Sequence, residues 1–109
     1  MCKPPGEVTR HYTQKLTIRF ANKDDDIIQY IGIEQMGGVG QSGMFKLVEG
    51  RDCSARFEFV DNASGNWQMA CTDKATGKGR FSHNTKTLVT IGTGTTSFGG
   101  DVTFEMKRL

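Results

Sequence analysis

The sequence predicts an all-β fold, a single small antiparallel β-sandwich or barrel of about eight short strands joined by meander connections. Three observations predict it. Apolar and polar residues alternate along nearly the whole chain, as where Leu16, Ile18 and Phe20 are separated by Thr17 and Arg19. No segment carries the spacing of an amphipathic helix. Glycine is abundant, 14 residues against 2 prolines, and glycine scattered between short apolar runs is expected to mark turns and bulges rather than helices.

The elements follow in order. Residues 1–7, MCKPPGE, read as a flexible N-terminal tether, because Pro4 and Pro5 favour an extended chain and their neighbours have nothing to bury. Residues 8–109 read as the single all-β domain. Within it, 8–21 form one long strand or a bent pair, 22–26 a charged turn, and 27–33 a second strand. GGVGQSG (37–43) reads as a flexible loop, and 44–48 as a third strand. Ala55, Phe57 and Phe59 then alternate with Arg56 and Glu58 up to DNASGN (61–66), a strong turn signal. Trp67, Met69 and Cys71 resume the alternation. A turn at Thr76-Gly77 precedes a strand over 78–82, another strand covers 87–91, and Val102, Phe104 and Met106 close the chain. Trp67, Phe57, Phe59 and Phe104 head these runs and are expected to be largely buried.

Composition limits what such a domain can do. The chain has 109 residues, enough for one core and not two. At 36% hydrophobic and 24% charged it lies in the globular range, which argues against disorder. The net charge is only +2, with both signs interleaved, so the surface steers no polyanion strongly. No stretch reaches the ~20 apolar residues of a membrane-spanning helix.

The three cysteines carry the most information. Cys53 shares strand parity with Ala55 and Phe57, and Cys71 shares it with Met69 and Trp67. If the two strands form a hairpin, Phe57 faces Trp67, Ala55 faces Met69, and Cys53 faces Cys71, all on the apolar side. A disulfide between Cys53 and Cys71 is the reading that results; two reduced, buried thiols are the plainer alternative. Cys2 is left over. It stands ahead of a polar, proline-containing spacer, an arrangement that resembles the start of a mature bacterial lipoprotein, whose first cysteine carries the acyl chains. Cys2 is therefore the candidate lipidation site, against a chance thiol in a polar tail.

The runs WQMACTD (67–73), GKGRF (77–81), GTG (92–94) and GGDVTF (99–104) are similar to small uncharacterised proteobacterial envelope proteins and lipoproteins with an all-β domain. They share a Trp, a Cys and glycines that lead into a V-x-F strand. The resemblance implies location in the cell envelope and carries no active site to transfer.

Candidate chemistry is sparse. His11 and His83 are the only histidines; neither sits in a catalytic motif, and both read as surface strand residues. Asp24, Asp25 and Asp26 lack the alternation and turn glycine of a calcium loop. GGVGQSG lacks the lysine of a phosphate-binding loop. Phe57, Phe59 and Phe81 interleave with Arg56, Lys78 and Arg80, the mixture that small barrels use to stack single-stranded nucleic acid. Strand parity puts the rings and the charges on opposite faces, so the rings are core.

The function expected is a non-enzymatic, lipid-anchored domain of the bacterial cell envelope, facing the periplasm. It binds or supports an unknown envelope component or a small ligand, and calls for no cofactor, no metal and no catalytic residue. The rivals are an OB-like or cold-shock-like binder of single-stranded nucleic acid and a small hydrolase built on one histidine.

Overall fold

A computed structural model describes residues 9–23, 26–47 and 50–109. The tether, Cys2, and the Asp24 and Asp25 of the acidic turn lie outside the described residues. Nine strands are present among the described residues: β1 (Thr9–Phe20), β2 (Ile27–Met36), β3 (Val39–Ser42), β4 (Phe45–Lys46), β5 (Asp52–Phe59), β6 (Ser64–Cys71), β7 (Thr76–Asn84), β8 (Val89–Thr96) and β9 (Gly100–Arg108). No α-helix occurs among the described residues.

The strands hydrogen-bond in the order β3-β2-β1-β9-β8-β7-β6-β5-β4, and β3 also pairs with β5. That last pairing joins the sheet into a closed eight-stranded antiparallel barrel, with β4 as an extra short strand on β5. Of the two architectures expected, the barrel is the one formed, and closure gives each of the eight strands a partner on both sides over at least part of its length. The seam is short: β3 pairs with β5 only through Val39–Glu58, Gly40–Phe57 and Gln41–Arg56. Below it, where β3 has ended, the side chain of Gln29 on β2 takes the place of a strand. Its amide donates to the Lys46 carbonyl at 2.8 Å and accepts from the Lys46 N–H at 2.9 Å.

Two segments depart from the turn reading. GGVGQSG is not a loop: its Val39–Ser42 portion is β3, and Gly37, at φ +59°, makes the tight turn from β2. Thr76-Gly77 is not a turn but the start of β7; the chain reverses just before it, where Lys74 takes a φ of +70° and Asp73 Oδ1 accepts from the Ala75 N–H at 3.1 Å. In both places ladder pairing overrides a weak local preference.

The inward parity set gives the core. Leu16, Ile18 and Phe20 of β1 meet Ile31 and Ile33 of β2, Trp67 and Met69 of β6, Phe81 of β7 and Val102 of β9. Burying side chains of this size contributes roughly 1.5–3 kcal/mol each, and this is the main force holding the barrel closed. Between them the wall is lined with glycine, contrary to the expectation that glycines would fall in turns. Gly40, Gly65, Gly79, Gly92 and Gly94 all lie inside strands on the inward face. Each is covered by a ring or a backbone that leaves no room for a Cβ: Phe57 over Gly40, Phe81 over Gly65, Phe104 over Gly92. Small residues in the wall let large rings lie flat against it.

β1 and β9 are antiparallel neighbours, with Gln14 opposite Arg108. The start of the first strand and the end of the last therefore lie at the same end of the barrel, together with the β2–β3, β5–β6 and β7–β8 turns.

Candidate functional site

An eight-stranded barrel has an interior just wide enough to be filled by side chains or to hold one small ligand. Here it is not filled. A cavity of about 250 Å³ runs along the axis, walled by residues of all eight barrel strands.

One end is plugged. Phe20, Phe45 and Leu47 are buried there, and Phe98 packs on Phe20 with ring centroids 5.7 Å apart. Arg51 caps the plug, its guanidinium 4.1 Å above the Phe98 ring and its Nε donating to Asp73 Oδ2 at 2.6 Å. The Arg51 contact, with help from the Ala75 N–H, holds the Asp73 carboxyl below its ordinary value. Cys53 and Cys71 stand opposite each other in the β5–β6 ladder at this end, their sulfurs 2.02 Å apart, with Phe57–Trp67 and Ala55–Met69 as the neighbouring facing pairs.

The middle is aromatic. Phe57, Phe59 and Phe81 form a triangle of edge-to-face contacts with centroids 4.9 to 6.0 Å apart, and Trp67 meets Phe104 edge-on at 5.5 Å. Such pairs are worth about 0.5–1.5 kcal/mol beyond their buried area. Trp67 donates its indole N–H to the Thr93 carbonyl at 3.2 Å, so its polar atom is committed to the wall. Of the four aromatics expected in the core, Trp67 is buried, while Phe57, Phe59 and Phe104 are only half-buried. They do face inward and pack on neighbouring rings, but they also border the open cavity.

The open end is polar. Arg10, Tyr12, Gln14, Gln35, His83, Thr90 and Arg108 continue the inward parity of strands that are apolar deeper down. The Tyr12 hydroxyl donates to Gln35 Oε1, and Gln35 Nε2 donates onward to the Gly37 carbonyl at 2.8 Å. Arg108 lies 4.3 Å over the Tyr12 ring. Burial pushes the Tyr12 phenol above its ordinary value, with Arg108 and Arg10 partly offsetting the rise. His83 Nδ1 and Thr90 Oγ1 are 2.8 Å apart, and the His83 ring packs on Phe59. Arg10 and Arg108 form no ion pair among the described residues, so the rim is basic.

His83 is thus not the surface residue expected. It shares parity with Phe81 and lies in the cavity wall. His11 is exposed on the outer face, opposite Glu34 in the β1–β2 ladder, so the two histidines lie on opposite sides of the wall. Arg56, Lys78 and Arg80 are on the outer face, away from the inward rings of Phe57, Phe59 and Phe81. No group of three or more metal-ligating side chains occurs among the described residues. Sequence reasoning missed Tyr12, Gln14, His83 and Thr90 as a set. The signal was there: polar residues in the inward phase at one end of three strands mark the rim of a cup.

No protein-family model matches the chain, and no curated protein matches it. Among solved structures it is similar to a redesigned β-barrel bound to DFHBI, with a TM-score of 0.65 and 11% identity over 89% of this chain and 93% of that one. It is also similar to a second redesigned β-barrel, with a TM-score of 0.62 and 14% identity over 90% of each chain. At these identities the likeness shows the fold, a closed antiparallel β-barrel.

Proposed function

We propose that the protein is a non-enzymatic binding module that holds a small, largely apolar ligand inside its barrel. The observation that carries this reading is the unfilled interior, plugged at one end, aromatic in the middle and polar at the rim. Ligand sites share that plan, a mostly apolar concavity with a few placed polar groups. A similar barrel bound to DFHBI supports it, because it shows that a barrel of this form accommodates a small molecule. The inward turn of Phe57, Phe59 and Phe81 leaves the basic outer face without a stacking platform, which weighs against the nucleic-acid alternative.

The module belongs, in this proposal, to the bacterial cell envelope. The Cys53–Cys71 pair suits an oxidising compartment, and Cys2 carries the lipid that ties the domain to the membrane. Incorporation of an alkynyl fatty acid by the native chain and not by Cys2→Ala tests the anchor.

The cavity is tested by titrating anilinonaphthalene sulfonate and following both the probe and Trp67 fluorescence. Saturable one-to-one binding is expected, weakened at least tenfold in Ala55→Leu, which fills the cavity, with an unchanged far-UV spectrum. Absence of binding by the native protein, or unchanged affinity in a folded Ala55→Leu, would overturn the reading.

A further inference from the structure

We propose that the ligand bears a hydrogen-bond donor, a hydroxyl or N–H on a compact aromatic body, and that Gln14 is the residue that recognises it; this rests on the reading of the cavity as a ligand site. Gln14 lies on the inward face of β1, one step along the stripe from Leu16, Ile18 and Phe20. It is only 6% exposed. Its Oε1 is buried without a hydrogen-bond partner among the described residues.

The other uncharged polar side chains of this wall are committed. Tyr12 donates to Gln35, Gln35 to Gly37, Trp67 to Thr93, and His83 contacts Thr90. Gln14 is the exception. A buried acceptor left unmade is costly, and a leucine at this position would extend the apolar stripe at no such cost. A glutamine here becomes favourable once an occupant supplies a donor. The terminal torsion of the amide is broad, so a small rotation turns Oε1 toward an occupant of the cavity it lines.

Size and shape narrow the class. A cavity of ~150 Å³ lined by apolar side chains takes up benzene; this one, at about 250 Å³, suits a fused two-ring body. Edges and faces of Trp67, Phe81 and Phe104 surround that body, and Gln14 meets its polar end below the rim. Phenol-like and indole-like compounds fit the description.

The experiment compares naphthol, its methyl ether and naphthalene, titrated at neutral pH against the native protein and Gln14→Leu with Trp67 fluorescence as the readout. The native protein is expected to bind naphthol about tenfold tighter than the methyl ether, the difference made by one buried hydrogen bond. In Gln14→Leu the preference should fall to about twofold or less while naphthalene binds at least as well as before. Should Gln14→Leu fail to fold, Gln14→Met serves in its place. Equal native affinities for naphthol and its ether, or a preference that survives the substitution, overturns the role of Gln14 while leaving the cavity reading standing. Failure of all three compounds to bind overturns the cavity reading, and this inference with it.

Discussion

Gly92 of β8 lies directly opposite Phe104 of β9, and the Phe104 ring occupies the place where a Cβ on Gly92 would stand. The pair shows how the cavity is made: the ring presses against bare backbone, and the space it would otherwise take remains open.

Gly92→Val should therefore drive Phe104 off the wall and into the cavity. The expected cost is about 1–3 kcal/mol in urea denaturation, as for overpacking in general, together with loss of ligand binding. Gly32 is the control, since it faces outward with nothing within 4 Å of a built Cβ. Gly32→Ala should stabilise by about 0.5–1 kcal/mol, the penalty that glycine imposes within a strand. Equal effects at both positions would contradict this account of the wall.

Trp67 is 6% exposed and lies against Gly94 and Phe104. Trp67→Ala is expected to cost roughly 3–5 kcal/mol, the range for a core aromatic. A loss below about 1 kcal/mol would place Trp67 outside the core energetics, whatever its burial.

Cys53 and Cys71 close a loop with a sequence separation of 18, and in the chain-entropy model such a bond contributes roughly 3 kcal/mol. Protein made without the lipid and kept under oxidising conditions should show one alkylated thiol before reduction and three after, with peptide mapping placing the free thiol at Cys2. Reduction should lower the urea midpoint. Three free thiols before reduction would remove the bond and the argument for an oxidising compartment.

Three carboxylates set the acid limb. Asp26 is held low by Arg19, Asp73 by Arg51, and Asp61 by the Ala63 N–H and the Ser64 hydroxyl. Each binds a proton less readily folded than unfolded. The stability they contribute is present above the unfolded carboxyl value near 3.8 and is lost as pH falls through their lower folded values. The urea midpoint should hold from neutral pH down to about pH 5 and fall as pH drops through that range. Asp73→Asn should flatten the decline, and an identical decline in that variant would show that Asp73 plays no part in it.

The β5–β6 hairpin was legible in the sequence down to its register, because Phe57, Ala55 and Cys53 on one side of DNASGN match Trp67, Met69 and Cys71 on the other in phase and distance. β3 was not legible. Val39–Ser42 carries two polar residues and a glycine, and it is a strand only because β2 and β5 hold it on either side. His83 and the half-buried Phe57, Phe59 and Phe104 were placed on strands correctly but given the wrong surroundings. Parity tells which side of a sheet a residue is on; it does not tell whether that side has been filled. That depends on ring sizes summed around the whole barrel, and on inward glycines that read locally as turns.

β1 and β9 meet as neighbours, and the described ends lie at the same end of the barrel, Leu109 against Thr13 and Thr9 four residues further along β1. The backbone is thus almost a circle, and it can in principle be recut. Joining residue 109 to residue 9 through a short linker and opening the β6–β7 connection would preserve the ladders while moving the point of attachment from the lip of the cup to its base. The natural order of the chain selects the other geometry. Anything that grips this domain at Thr9 grips it at the mouth, near Arg10 and Arg108 and away from the sealed end. A molecule leaving the cavity would emerge at the end of the barrel where β1 begins.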